Sequence, residues 1–250
     1  MFPINDYRTR IYNSYVYARQ QALAPESLAG LKPRLPFLRK LVHQHFPPDL
    51  NAAILELGCG HGALIHVARQ MGYRNIHGVD GSPEQVAAAR KLGIEGVSQG
   101  DVMDALPEQP DGSSDCVVAF DLIEHFTKDE LIGLVDEVFR VLKPGGRWII
   151  HTPNAESPFG NRMFFGDFTH ELAFTRTSIT QLLLASGFSR VECYEDRPVP
   201  HGIKSMVRWI LWRCIRGVLR LYLAVETGNT GRDAIFSQNF LAVGFKNSKH

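Results

Sequence analysis

Between residues 53 and 151, short apolar runs alternate with amphipathic stretches, and few architectures accept that order. Residues 53–57, 76–79, 96–98, 115–120 and 147–151 are apolar runs bounded by turn-forming residues, the pattern of buried strands. Residues 63–71, 83–91 and 128–142 carry a helical period. Ser82 stands where an N-cap belongs, with Pro83 in the first turn, and Lys143-Pro144-Gly145-Gly146 reads as a stop for the third helix. Strand–helix–strand order of this kind predicts an α/β fold: a parallel sheet with helices on both faces.

Two regions break the rhythm. Residues 1–50 look helical and are punctuated by Pro33, Pro36, Pro47 and Pro48. Residues 197–234 separate two late strands, 189–194 and 239–245, and read as an insertion. Between the fifth strand and a helix over 177–186 lies a long loop, 152–176, of a length that usually carries function. The expected organisation is a single domain over 1–250. It comprises a helical cap (1–50), a core (51–196), a basic amphipathic insertion (197–234), and a last strand with tail (235–250).

Charge sharpens that division. The chain holds 27 basic and 26 acidic residues, a net of +1, which argues against a protein that coats nucleic acid. Residues 51–196 hold 11 basic and 21 acidic side chains, a net of −10, whereas 197–220 hold six basic and no acidic ones. A local anionic partner therefore stays open. Cys59, Cys116, Cys193 and Cys214 show no C-x-x-C or metal-ligand spacing, and suggest reduced thiols in a cytoplasmic protein. The first 20 residues lack the apolar core of a signal peptide. In the apolar stretch 206–225, Arg208, Arg213, Arg216 and Arg220 argue against a membrane span.

The chemistry concentrates after the first strand, in Leu57-Gly58-Cys59-Gly60-His61-Gly62. Glycines there let backbone approach a ligand, and the following helix offers free N–H groups to an anionic part of it. Gly58-x-Gly60-x-x-Ala63 also fits the dinucleotide fingerprint, so the loop alone leaves the nucleotide undecided. Asp80 ends the second strand 22 residues after Gly58, where a carboxylate can accept ribose hydroxyls. Asp101 and Asp121 close the third and fourth strands, and with Asp80 and Glu56 they put four carboxylates at one crevice.

Glu56–Gly62, Val79-Asp80-Gly81-Ser82, Gly100-Asp101, Asp121–His125 and the Lys143–Gly146 turn together resemble the class I S-adenosylmethionine-dependent methyltransferases. The likeness covers about residues 50–150 and echoes more weakly in Thr152-Pro153-Asn154 and Ser186-Gly187-Phe188. It implies a Rossmann-like methyltransferase fold, a seven-stranded sheet with the last strand antiparallel. It further implies S-adenosyl-L-methionine as cofactor, with Gly58 and Gly60 against its methionine part, Asp80 on ribose and Asp101 at adenine. Cys59, Gly62, Gly81, Val102 and Asp121 complete the expected cofactor wall.

For the acceptor, His125 is the first candidate for a general base, with Glu124 to orient it, since both follow the fourth strand. The loop 152–176 adds Asn154, Asp167, His170 and Glu171, interleaved with Phe159, Phe164, Phe165 and Phe168; Asn154 and His170 are its leading polar candidates. No metal site is assigned, although Glu124 beside His125 leaves a divalent ion open. Tyr7, Arg8, Arg10, Tyr12, Tyr15 and Tyr17 form either a solvated helix or a lid whose arginine meets the methionine carboxylate.

In the insertion, Val207, Ile210, Leu211, Cys214, Val218, Leu221, Tyr222 and Val225 share one helical face. Lys204, Arg208, Arg213, Arg216 and Arg220 lie opposite, with Trp209 and Trp212 among them. That composition suits an interfacial membrane helix, a lid on the domain's own core, or a partner-binding surface. The expected function is methyl transfer to a small-molecule or glycan acceptor, lipid-linked ones included, at oxygen. Residues 203–225 would touch the inner face of the membrane, and the pattern of residues 154–160 and 166–171 resembles methyltransferases of bacterial polysaccharide pathways. The alternatives are an NAD(P)-dependent oxidoreductase and a non-catalytic S-adenosylmethionine-binding regulator.

Overall fold

The computed structural model describes residues 24–248 and Ile11. The aromatic-basic stretch Tyr7 to Tyr17 lies outside the described residues. A 3-10 turn at Leu28–Leu31 leads into α1 (Leu35–His45), then β1 (Ile54–Leu57), α2 (Ala63–Gln70), β2 (Ile76–Asp80), α3 (Pro83–Lys91) and β3 (Val97–Gln99). A single turn, α4 (Val102–Ala105), precedes β4 (Ser114–Phe120). α5 (Lys128–Val141), β5 (Leu142–Pro153), α6 (Gly160–Phe164), α7 (Arg176–Ala185) and β6 (Arg190–Glu195) follow. The chain closes with α8 (Ile203–Thr227) and β7 (Asn239–Phe245).

The seven strands form one sheet in the order β3-β2-β1-β4-β5-β7-β6. β1 to β5 run parallel, while β7 lies antiparallel between β5 and β6. This is the expected Rossmann-like methyltransferase topology. Strand alternation divides the core in two. Leu55, Leu57, Val117, Ala119, Trp148 and Ile150 pack under α5 and α7, whereas Ile54, Cys116, Val118 and Ile149 pack under α1 and α2. Each such large apolar side chain contributes about 1.5–3 kcal/mol by its burial.

Local signals hold at the residue level. Ser82 accepts from the Gln85 amide (3.4 Å), capping α3, and Thr127 with Glu130 forms a capping box on α5. One boundary differs. The Lys143–Gly146 turn does not separate α5 from the fifth strand but lies inside β5, because Leu142 caps α5 and already pairs with Ser114 of β4. The loop 152–176 is also more ordered than its length suggests: it contributes two residues to β5, forms α6, and pairs Asn154 with Phe174.

α8 has the two faces read from the sequence, but their placement decides between the expectations. Ser205, Trp209, Trp212, Arg216, Leu219, Arg220, Leu223 and Ala224 are its sheltered residues. Arg216 pairs with Glu195 (3.0 Å) and Arg220 donates to the Thr230 carbonyl (3.1 Å). Arg216 and Arg220, on the side that carries the sheltered tryptophans, therefore hold the helix to the body, while the apolar face points away from it. That outcome excludes an apolar lid over the domain's own core.

Candidate active site

The parallel strands end at one edge of the sheet, and their following loops enclose a crevice of about 1150 Å³. Glu56, Gly58, Cys59, Gly60, Asp80, Gly81, Asp101, Val102, Asp121, Glu124, His125 and His170 all line it. β1 and β2 set the first part of this wall. Gly58 and Gly60 have φ of +65° and +55°, and a Cβ on Gly58 would stand 2.9 Å from Leu122 Cδ1. Asp80 holds the loop by accepting from the Gly60 amide (2.7 Å) and the Ser82 amide (2.9 Å). Asp101 accepts from the Met103 amide (2.7 Å), capping α4 at the rim. Cys59, in the loop after β1, is buried against β2, and burial raises its thiol, which stays protonated.

Glu56 is buried, and its Oε2 has no hydrogen-bond partner. Burial, reinforced by the Asp80 charge, pushes its carboxyl up to about 8. Asp121 has a left-handed backbone, φ 50°, unusual for any residue but glycine. Its Oδ1 lies 2.6 Å from Nδ1 of His151, whose side chain is 4 % exposed against 47 % for Asp121. Burial disfavours the His151 imidazolium, yet the Asp121 carboxylate, with Asp196 3.7 Å from Nε2, raises it to about 9.

The second part of the wall joins two distant segments. Glu124 and His125 lie on a 3-10 turn, Ile123–His125, directly after β4. The Glu124 carbonyl accepts from the Glu171 amide (2.8 Å) and the Leu172 amide (3.0 Å), which ties the loop after β5 to this turn. His125 and His170 consequently meet edge to face, with ring centroids 4.8 Å apart. Glu124 accepts from the Thr152 hydroxyl through Oε2 (3.0 Å), while its buried Oε1 has no hydrogen-bond partner. Burial, then the Asp121 charge, raises its carboxyl to about 8.

A family description of a methyltransferase domain matches residues 31–193. The chain belongs to the class I S-adenosylmethionine-dependent methyltransferases. A probable S-adenosylmethionine-dependent methyltransferase of Mycolicibacterium smegmatis is 34 % identical over 152 residues, 60 % of this chain and 55 % of that protein. The match thus spans about half the length of that relative. A methyltransferase structure from Archaeoglobus fulgidus superposes with a TM-score of 0.65 at 17 % identity, covering 94 % of this chain and 99 % of that one. Phosphoethanolamine N-methyltransferase 2 of Haemonchus contortus, solved with S-adenosyl-L-methionine, superposes at 0.59 and 17 % identity, over 98 % of this chain and 58 % of that one. At these identities the structural likeness is one of fold. Membership of the family sets aside the nicotinamide-dependent alternative that the glycine loop alone allowed.

The crevice of this methyltransferase domain fits the cofactor. A sulfonium-bearing amino acid brings two cationic centres, and the buried, unpartnered Glu56 oxygen in the glycine-loop wall is a suitable counter-charge. The collision a Cβ would make at Gly58 keeps that stretch of loop bare. Arg34, at the start of α1, also lines the crevice and lowers the proton affinity of Glu56 and Asp121 through its charge. Among the described residues it is an arginine suited to a carboxylate, as is Arg162 in the same crevice, while the arginines of the stretch before residue 18 lie outside the described residues. Its sequence signal, a cation inside the Pro33-Arg34-Leu35-Pro36 helix start, was available but weaker than the aromatic-basic run.

Two expected residues stand elsewhere. Gly62 is outside the crevice wall; a Cβ there would meet Val97 (2.7 Å) and Ile94 (2.9 Å), so this glycine lets α2 approach β3. Asn154 is fully engaged away from the cavity. Its Nδ2 donates to the carbonyls of Ile235 (2.7 Å) and Ser237 (2.9 Å), and its Oδ1 accepts from the Glu156 amide (3.0 Å). The Asn154 expectation is corrected to a staple between two loops. Of the loop aromatics, Phe159, Phe165 and Phe168 are exposed rather than turned to the cavity, and Glu171 is exposed as well. Sequence reading missed His61 and His151 because a histidine within a loop or strand carries no spacing signal. His61 lines the crevice with Nδ1 3.2 Å from Gln85 Oε1, and burial lowers its proton affinity.

Proposed function

We propose that this chain binds S-adenosyl-L-methionine along the Glu56–Asp80–Asp101 wall and methylates an oxygen of a small-molecule or glycan acceptor presented at a membrane surface. The observation carrying this reading is the shared crevice: the glycine-loop carboxylates and the Glu124–His125–His170 cluster line one cavity. The cofactor supplies an activated methyl group. The protein's own work is then positioning, with a possible gain of about 7–11 kcal/mol from orientation, and management of the acceptor proton. Asp80 and Asp101 orient the nucleoside, Glu56 and Arg34 hold the amino-acid end, and the histidine cluster holds the acceptor hydroxyl and accommodates its proton.

The membrane part of the reading rests on α8. Val218, Leu221 and Val225 are among its most exposed residues, on the outward apolar stripe of a helix roughly 37 Å long at 1.5 Å per residue. Lys204, Arg208 and Arg213 are exposed beside it, and no acidic residue occurs from 197 to 225. Among the described residues no helix is long and apolar enough to cross a membrane, so contact would be interfacial. β6 runs parallel to β5, so the lead into α8 leaves the sheet at the same edge as the crevice. The test is transfer of labelled methyl into fractionated cell extract, partitioned between organic and aqueous phases, alongside flotation with anionic vesicles. Label in a glycan or small molecule and vesicle binding lost in Val218→Asp/Leu221→Asp are expected. Label confined to protein or RNA refutes the acceptor class, no turnover refutes the enzyme in favour of a regulator, and no flotation at low salt refutes membrane contact.

A further inference from the structure

Glu124, His125 and His170 come together from segments 45 residues apart, and one ligand-capable atom of each lies within 4.8 Å of the other two. Their second atoms are already committed. His170 Nδ1 is 2.9 Å from the Phe164 carbonyl, an acceptor, so Nδ1 carries the proton and the ring lone pair sits on Nε2. His125 Nδ1 faces the Thr169 carbonyl at 3.3 Å and the Thr169 hydroxyl at 2.9 Å. The Thr169 hydroxyl donates to Asp167 Oδ1 (2.7 Å), so it accepts from His125, and this ring too carries its lone pair on Nε2. Glu124 has the Thr152 hydroxyl on Oε2 and a buried, unpartnered Oε1. Metal-binding histidines are oriented this way, the far N–H given to a carbonyl or to a carboxylate-linked group. Leaving a carboxylate oxygen buried beside two imidazoles is costly unless a cation or proton completes it.

We propose that Glu124, His125 and His170 bind one divalent transition-metal ion at the acceptor end of the crevice. Two imidazoles and one carboxylate suit Zn²⁺, Mn²⁺, Fe²⁺ or Co²⁺, whereas Mg²⁺ favours an all-oxygen set. Three protein ligands leave positions open toward the cavity, which all three residues line. An acceptor hydroxyl taken up there loses proton affinity as a metal-bound water does, and its proton passes to solvent. That catalytic use rests on the proposed acceptor site; the metal binding does not.

The full chain, freed of metal by chelation and dialysis, is titrated with Co²⁺ in the absence of cofactor and acceptor, followed by calorimetry and by visible ligand-field bands. The expected result is one equivalent bound, the bands lost in His170→Gln and in Glu124→Gln, and cofactor affinity kept in His170→Gln. Because Glu124→Gln removes a buried group and can unfold the chain, Thr169→Val gives a second reading. It should keep the stoichiometry and weaken the ion about 10–100-fold, as loss of an orienting partner does. Absence of Co²⁺ bands in the wild type, or bands unchanged in His170→Gln, overturns the proposal. Methyl transfer that continues in chelator with unchanged rate overturns its catalytic use, while leaving the methyltransferase reading intact.

Discussion

Replacing Glu56 by glutamine tests the electrostatics of the glycine-loop wall directly. Glu56 is 3 % exposed, and burial raises its carboxyl from 4.5 to about 8. In the unfolded chain the group ionises near 4.5, so between these values the folded protein holds a proton that the unfolded chain has released. Its contribution to stability is therefore full below 4.5 and is lost as pH rises through about 8. At 1.36 kcal/mol for each tenfold change in proton affinity, the loss reaches about 3 kcal/mol at pH 7 and ~5 kcal/mol once ionisation is complete. Glutamine has nearly the same shape and cannot ionise. Urea unfolding of the cofactor-free protein at a series of pH values should show Glu56→Gln gaining on the wild type from pH 5 to pH 8. The same proton should leave when the cationic cofactor binds at neutral pH, seen as a dependence of binding enthalpy on buffer ionisation heat and absent in the variant. Parallel stability curves for the two proteins would refute the reasoning, because they would mean that Glu56 is already charged in the free crevice.

Gly58→Ala places a methyl group on a φ of +65° and 2.9 Å from Leu122 Cδ1; the left-handed backbone alone costs about 1–2 kcal/mol, so equilibrium dialysis should show cofactor affinity reduced roughly tenfold. His125→Ala should slow single-turnover methyl transfer by about 10²–10⁴-fold with cofactor affinity nearly unchanged, since it lines the crevice at the proposed acceptor end. Asn154→Ala removes two hydrogen bonds between loops and one within its own loop, and should lower the unfolding free energy by about 2–4 kcal/mol, while the folded fraction keeps its affinity for cofactor. Equal loss of cofactor binding in His125→Ala and Asn154→Ala would argue that both act only through folding.

The sheet and the glycine-loop wall were legible in the chain because their signals are local. An apolar run between turn residues must bury itself, a glycine after a strand frees the backbone, and a carboxylate at a strand end shares the crevice with its neighbours in the sheet. The α3 boundaries and the β7 boundaries match the sequence reading residue for residue. Asn154 shows the limit of such signals: a polar residue after a strand reads equally as catalytic or as a staple, and only its partners at Ile235 and Ser237, about 80 positions away, decide.

The faces of α8 followed from a helical period, yet period says only that two faces differ. Glu195 and the carbonyls of Thr230 and Ala234 determine that Arg216 and Arg220 turn inward and the apolar face outward. The histidine cluster has the same character. His125 was visible as a candidate after the fourth strand, and His170 as one in a loop, but their meeting depends on the two amides that bind the Glu124 carbonyl. Composition and periodicity thus specified which segments fold and which carboxylates line the crevice. Contacts between residues tens of positions apart decided which acids stay neutral, which helix face meets the surroundings, and which histidines share a site, because desolvation and pairing are set by neighbours in space.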